Sequence, residues 1–450
     1  MNAVQAAPRL ARKLNAFDAT LVVMGGIVGA GIFMNPSVVA QRAHTTQLIM
    51  AAWLFGGLVS LAGGFIFAEL AWRRPSAGGL YGYMRDAFHP VVAFMYGWTA
   101  LLVSQSGGMA AAAVTFAAYF QPLTALHWPA KVSAIGAIAL LSFINCTGVR
   151  EGGTTQNIFM ILKVAVIAAV IGAGLSGSHP ASAHQAAAAS VVPGGLLPIL
   201  AIMGASLVPV LYAYDGWQTA PFIDGELKDP ARTLPSGMIL GVIAVVVLYL
   251  VMTIAALVML GPHGLAATST PASDIMAAVF GPAGQRIVAA GVALSTLGFL
   301  SNQVLTSPRI YYAMARDGLF FKQLASVHPR TQAPVVAIAV QAIAGIAITL
   351  WGRYDQILNY VLSMDFIFLT LAAVALFIFR RRRAVTEPGP LVPGHPWTTL
   401  FFIAAGVAII VNTVVTYPRD TLIGLLILFS GAPIYLIWHR RSRFAASAPA

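Results

Sequence analysis

The chain has 450 residues, 58% hydrophobic and only 9% charged, whereas an ordinary soluble domain is about 25% charged, so a water-soluble globular protein is excluded. The net charge of +12 does not indicate nucleic-acid binding, because the basic residues lie in loops between apolar stretches. A single cysteine, Cys146, excludes an internal disulfide and gives no Cys/His metal cluster.

Arg9, Arg12 and Lys13 precede the first apolar run, the layout of a signal peptide. The run is too long for one and no small-residue cleavage site follows it. Asn35-Pro36 reads as a turn, so the expectation is an uncleaved first span. In chain order, apolar stretches of about 20 residues predict twelve spans: 17–40, 47–70, 91–118, 132–148, 155–176, 196–222, 236–260, 286–310, 334–350, 357–379, 398–416 and 421–438. The chain reads as an all-α integral membrane protein whose first partner is the lipid bilayer. An even count puts both termini on one side. Of the 26 Lys and Arg, twenty fall in the tails and every second loop. Five (Arg42, Lys131, Arg286, Arg353, Arg419) fall in the opposite loops, and Lys163 lies within a span. Positive residues gather on the cytoplasmic side, which places both termini there, with the spans in the inner (cytoplasmic) membrane.

The spans divide into a tail (1–16), a five-span unit (17–176), an outer loop (177–195) and a second five-span unit (196–379). An inner loop (380–397), two further spans (398–438) and a tail (439–450) complete the chain. Five is odd, so the two units enter the membrane from opposite sides and form an inverted repeat. His179 and His184, in the outer loop, have no other ligand type nearby and read as solvated rather than as metal ligands. The run Arg380 to Arg383 stops the tenth span at the inner face, with binding of anionic lipid as the other reading.

Each five-span unit begins with a span interrupted midway. The first carries Gly25-Gly26-Ile27-Val28-Gly29-Ala30-Gly31-Ile32-Phe33. Glycine lets Gly29-Ala30-Gly31 unwind and lets a ligand approach the backbone. In lipid, a broken helix survives only where protein or a wet cavity covers it. Interrupted spans in corresponding places of two halves point to a transporter site near the bilayer midplane. A helix restarting at Ile32 offers bare N–H groups and a partial positive charge, a carboxylate site without a basic side chain. Close packing through Gly25-x-x-x-Gly29 is the structural alternative.

The sixth span is broken at Tyr212-Ala213-Tyr214-Asp215-Gly216-Trp217. A mid-span carboxylate is costly unless paired or wetted, and Asp215 either faces a ligand or caps the helix that follows. Carbonyls freed here accept hydrogen bonds from an ammonium. The two breaks thus match the two ends of a zwitterion. Lys163, in the fifth span, is the other intramembrane charge, functional by default unless it snorkels to the inner face. Asp365 in the tenth span reads as a proton relay or as a carboxylate paired with a hydroxyl or water. Gln105, Ser106 and Asn302 are polar positions expected to line the cavity. Glu69 and Asp18 are expected at the inner rim, beside Arg73, Arg74 and Lys13.

The motifs resemble the amino acid–polyamine–organocation superfamily. Gly29-Ala30-Gly31-Ile32-Phe33 is similar to its first-span signature, and Tyr212 to Trp217 is close to the Phe-Ala-Tyr-Asp-Gly-Trp form of its L-amino acid transporter branch. The stretches Gly225 to Pro235, Glu69 with Pro75 to Tyr81, and Ala313 to Gly318 resemble further family motifs. The resemblance covers about three-quarters of the chain. It implies an alternating-access carrier with the leucine-transporter type of five-plus-five inverted repeat and two extra C-terminal helices. It implies that Gly29, Ala30 and Gly31 bind a substrate carboxylate through backbone, and that Ile27, Tyr212 and Ala213 offer carbonyls to its amine. Tyr212 matches the aromatic that closes over substrate, and Trp217 belongs to the same motif. Ala30 departs from a frequent Ser, which removes a hydroxyl but not the N–H. Lys163 matches a lysine that stands where sodium-coupled relatives bind sodium, bridging the first break to Ser295 and Thr296. Sodium-independent transport follows, by exchange or, through release of the lysine's proton, by proton symport. Some members attach a heavy chain through an outer cysteine between the third and fourth spans. Cys146 is elsewhere, so no disulfide-linked heavy chain is expected.

The expected cargo is a neutral L-amino acid. A polyamine, organocation or cationic amino acid carrier of the same fold is the alternative, with Asp215 as its argument. A channel needs a pore-lining ring pattern, and an enzyme needs a catalytic constellation. Neither pattern is evident, and no cofactor or metal is implied.

Overall fold

The computed structural model describes residues 12–75, 78–124, 128–176, 195–351, 354–382, 389–416 and 418–447. Arg9, His179, His184, Arg353 and Arg383, and all of the expected outer loop except Gly195, lie outside these. The described chain is helical, with one isolated parallel bridge, Leu14 to Leu227. Helices α1 (Ala16–Ile27), α2 (Gly31–Ala43), α3 (Thr46–Arg73), α4 (Leu80–Ala87), α5 (Pro90–Thr99) and α6 (Gln105–Phe120) come first. Helices α7 (Ala130–Thr147), α8 (Val149–Leu175), α9 (Leu196–Tyr214), α10 (Pro230–Ala267) and α11 (Pro271–Thr306) follow. Helices α12 (Pro308–Arg316), α13 (Val335–Trp351), α14 (Tyr354–Arg382), α15 (Trp397–Thr416) and α16 (Pro418–Ser447) complete the order. Among the described residues, nine helical segments are long and apolar enough to cross a membrane, and α1 with α2 makes a tenth, bent by 44°.

The helix starts follow their local chemistry. Asn15 accepts the Phe17 and Asp18 N–H groups at 2.8 and 3.1 Å, and Asp18 accepts the Asn15 N–H at 2.8 Å, a capping box. Asp18 also accepts Asn157 Nδ2 at 2.7 Å, so its partners are these amides rather than Lys13. Asn35-Pro36 is not a turn. Both lie inside α2, where Asn35 donates through Nδ2 to the Pro209 carbonyl at 2.8 Å. The third span contains a π-turn over Ala100–Ser104 that links α5 to α6. The predicted eighth span begins earlier than hydropathy suggests, since α11 includes a segment from Pro271 before a kink at Gly281.

Packing puts α1, α2, α6, α9 and α11 at the centre. Helix α10 covers α3 and α1, α11 lies against α8 and α6, and α2 lies against α9. Helices α15 and α16 pack on the outside, against α14, α3 and α5. A cluster of Trp53, Tyr214 and Tyr249, with ring centroids 5.1–5.9 Å apart, fills the space between α3, α9 and α10.

The end of the bundle that bears the termini is closed by ion pairs. Arg309, at the end of the predicted span 286–310, is fully buried and meets Glu226 with Nε and Nη2 at 2.9 and 2.8 Å from Oε1. Glu69 does not sit beside Arg74 in a solvated rim. It accepts Arg73 Nε at 2.6 Å, Arg380 Nη2 at 2.5 Å and the Val392 N–H at 2.8 Å. Asp317 joins Arg85 and accepts the Tyr81 hydroxyl at 2.9 Å. The arginine run therefore does more than stop α14: Arg380 ties it to α3, and Arg382 donates to the Asp86 carbonyl at 2.7 Å.

Candidate substrate site

The first break spans Val28, Gly29 and Ala30, between α1 and α2. A helix end leaves four carbonyls without helical partners, and here most are accounted for. The Lys163 ammonium donates to Val28 O at 2.5 Å and to Gly25 O at 3.3 Å. The Tyr249 hydroxyl reaches Ile27 O at 3.4 Å, and Ser295 Oγ donates to Gly29 O at 2.9 Å. One turn back, Asn302 Nδ2 donates to Val22 O at 2.7 Å. On the other side, α2 starts at Gly31 behind Ala30 with no side chain capping its first N–H groups.

The second break follows Tyr214. Asp215 is extended, Gly216 has φ +119°, and the chain continues as a 3-10 stretch, Trp217–Glu226, rather than a new α-helix. The helix α9 ends at Tyr214, so its carbonyl end is presented at the break. Asp215 does not cap the stretch after it. Its carboxylate accepts Gln218 Nε2 at 3.0 Å, and Gln218 Oε1 accepts the Gly216 N–H at 2.9 Å. Pro209 also lacks an N–H and so frees the Ala205 carbonyl one turn earlier, which Arg42 of α2 takes up.

The two breaks touch backbone to backbone. A Cβ added at Gly26 would stand 2.5 Å from Gly216 O, and one at Gly216 would stand 2.0 Å from Gly26 O. Beside this contact lies a cavity of about 340 Å³. Gly29, Ala30 and Gly31 form one wall, Tyr212, Ala213 and Asp215 the facing one, and Ser104, Gln105, Thr296 and Asp365 complete it. Its lining continues along Asn35 to Arg42 and up to Thr115 and Thr413, toward the end opposite the ion-paired one. The cavity therefore joins the uncapped start of α2 to the carbonyl end of α9.

The amino acid permease family model matches residues 14–435. The chain belongs to that family. Within the amino acid–polyamine–organocation superfamily it falls in the L-amino acid transporter branch. It is 30% identical to the serine/threonine exchanger SteT of Bacillus subtilis over 95% of this chain and 96% of that protein. It is 26% identical to the large neutral amino acids transporter small subunit 2 of Homo sapiens, over 95% and 80% of the two chains. To the b(0,+)-type amino acid transporter 1 of Rattus norvegicus it is 27% identical, over 97% and 90%. The permease is a multi-pass membrane protein and not an enzyme.

Of the residues singled out in sequence, Ile27, Gly29, Ala30, Gly31, Gln105, Tyr212, Ala213, Asp215, Thr296 and Asp365 line the permease's cavity. Trp217 does not: it is packed against Phe67 and Phe402, at centroid distances of 4.9 and 6.1 Å. Ser106 is fully buried outside the lining. Asn302 and Ser295 sit behind the wall and hold the first break. Lys163 also lies behind it, fully buried rather than snorkelled. Its partner on α11 is not Ser295 or Thr296. Gly298 makes room for it, since a Cβ there would stand 2.5 Å from Lys163 Cε. The Thr296 hydroxyl turns back to Val292 O and Ala293 O at 3.0 and 2.9 Å.

Asn35, Gln218, Thr219, Phe299 and Gln303 line the cavity without having been read from sequence. Asn35 had a signal: it follows Gly31 by four residues, on the same face of α2. The π-turn had none, yet it puts Ser104 in the cavity wall with Asp365; such turns recur at functional sites. Among the described residues no group of three or more His, Cys, Asp or Glu is placed to hold a metal ion.

Proposed function

We propose that the permease is a secondary carrier of L-amino acids that works by alternating access without sodium, as an exchanger. The observation that carries this reading is the cavity itself, which sets the uncapped start of α2 against the carbonyl end of α9. A carboxylate is stabilised at a helix amino end, and an ammonium is held by carbonyl oxygens. A zwitterion satisfies both walls, whereas a simple diamine leaves the α2 end empty. The lining runs toward one end of the bundle while ion pairs close the other, the asymmetry expected of one state of an alternating cycle. The positive charge of Lys163 already rests on Gly25 O and Val28 O. A fixed cation there removes the need for a bound sodium ion.

In this reading the ion-paired end is cytoplasmic, as the bias of Lys and Arg supports, and twelve spans in a five-plus-five inverted repeat rock about the two breaks in the cell membrane. SteT is an exchanger by name, which supports exchange over symport. The human relative is named a small subunit. In this chain Cys146 is the sole cysteine and lies in α7, so no disulfide to a partner forms between the third and fourth spans.

For the side chain of the substrate, small neutral amino acids are the first reading. A specific observation favours a second, a cationic amino acid: Asp215 and Asp365 both line the cavity. Uptake into proteoliposomes of labelled alanine, serine, leucine, arginine and putrescine separates the two. Neutral cargo predicts alanine or serine first and no effect of Asp365→Asn on arginine selectivity. Cationic cargo predicts arginine first, with selectivity lost in Asp365→Asn. Transport of putrescine alone contradicts the carboxylate-and-amine site.

A further inference from the structure

We propose that the permease carries a second ligand site at its ion-paired end, a pocket for a phosphate group. A cavity of about 530 Å³ lies between the N-terminal segment, the start of α8 and the loop before α10. Its walls include Arg12, Lys13, Arg150 and Lys228, with Asp18 as the one acidic member. Each Asp18 oxygen already accepts one hydrogen bond, from the Asn15 N–H at 2.8 Å and from Asn157 Nδ2 at 2.7 Å, and the four cations outnumber its single charge. Among the described residues Arg12, Lys13, Arg150 and Lys228 make no salt bridge, though the charge of Arg12 acts on Asp224. Residues of the first turns of α8, Arg150, Gly153 and Thr154, complete the wall. Glu151, in the first turn of that helix, lies against Gly148 and outside the pocket wall, so the cationic side chains rather than the helix end set the field.

The preference of cations for the cytoplasmic face explains why these residues are on this side. It does not explain why four of them converge on one concavity. Their convergence is built by backbone. The Lys13 and Leu14 N–H groups donate to Glu226 O at 2.9 and 3.0 Å, and the Lys228 N–H donates to Leu14 O at 3.0 Å. This clip carries Arg12, Lys13 and Lys228 across to Arg150. Ammonium and guanidinium groups together recognise phosphate oxygens. At a membrane surface the phosphate comes from an anionic lipid headgroup or from solution. An occupant touching both walls ties the N-terminal segment to α8 and to the loop before α10.

The test is the thermal unfolding midpoint of the purified full-length chain in a neutral detergent. Inorganic phosphate and dioctanoyl phosphatidylglycerol are titrated in separate arms, each against chloride at equal ionic strength. A saturable rise is expected, and its half-point shifts by about fivefold for each charge removed in Arg150→Gln and in Lys228→Gln. Lys322→Gln, an exposed cation of another loop at the same end, leaves it unchanged. A response to both probes assigns the site to the phosphate group itself, and a response to the lipid alone assigns it to a headgroup held with its acyl chains. No saturable rise with either probe overturns the proposal. So does an equal shift in Lys322→Gln, which reports diffuse surface charge. The readout does not involve transport, so it stands or falls apart from the amino acid reading of the central cavity.

Discussion

Gly216→Ala removes the contact on which both breaks depend. The added Cβ would lie 2.0 Å from the Gly26 carbonyl oxygen and 2.5 Å from its carbon, both backbone atoms of the other break. No rotamer relieves that clash, so the two segments must separate. Gly216 also has φ +119°, a region that costs an L side chain about 1–2 kcal/mol. Overpacking of a filled site adds about 1–3 kcal/mol. The sum, about 2–5 kcal/mol, lowers the population with both breaks in register by about thirtyfold or more, at about 1.4 kcal/mol per tenfold. Gly29→Ala is the matched control. Its Cβ meets only Phe299 ring carbons, at 3.7 and 3.9 Å, an ordinary contact. Transport by Gly29→Ala stays within about threefold of the unmodified protein, less than about 0.7 kcal/mol. Exchange of labelled amino acid in proteoliposomes, on protein that elutes as one symmetric peak, gives both numbers. Unimpaired exchange by Gly216→Ala, or an equal loss in Gly29→Ala, refutes the apposition of the breaks as the basis of the site.

Lys163→Ala strips the partner from Val28 O and Gly25 O, and a buried carbonyl left bare costs about 1–3 kcal/mol. Exchange falls by at least about tenfold while the protein still inserts; normal kinetics return Lys163 to a packing role. Glu226→Gln leaves the buried Arg309 charge uncompensated, at about 3–5 kcal/mol. The expected result is a lower melting temperature, partly restored when Arg309→Met is added, and an unchanged melting temperature argues against the pair as the closure of that end. His395 is held below its usual 6.5 by burial and by repulsion from Arg380 and Arg73, against the pull of Glu69. Its contribution to stability is full above pH 6.5 and declines as pH falls below that value, because the unfolded chain protonates first. Melting temperatures measured down the acid side should lose this slope in His395→Gln.

The breaks were legible because they are written in residue types with few other uses at mid-span: glycine, a carboxylate, and a lysine. What the sequence left open was direction. Trp217 shares a motif with Asp215, yet the left-handed Gly216 between them turns it toward Phe67 and Phe402. Asp215 lost its expected capping role because its carboxylate bonds the Gln218 side chain instead, a choice between neighbours that no spacing decides. Asn35-Pro36 read as a turn because proline lacks a donor. Inside α2 the helix continues through it, and Asn35 reaches across to α9. Arg309 looked like one more cation at the end of a span; its burial against Glu226 depends on two segments 83 positions apart. Close approach, as at Gly26 and Gly298, is likewise a property of pairs, and a single sequence shows only one member at a time.

The central claim is that one cavity holds both the carboxylate and the amine of its cargo on backbone groups. Competition against sodium-free exchange in proteoliposomes tests it most directly, using L-alanine or L-serine as the labelled species. Free L-amino acids should compete, while the N-acetyl derivative, the amide and the decarboxylated amine should each fail to. Equal competition by the N-acetyl derivative or by the amine, or exchange that runs only in sodium, would contradict the account.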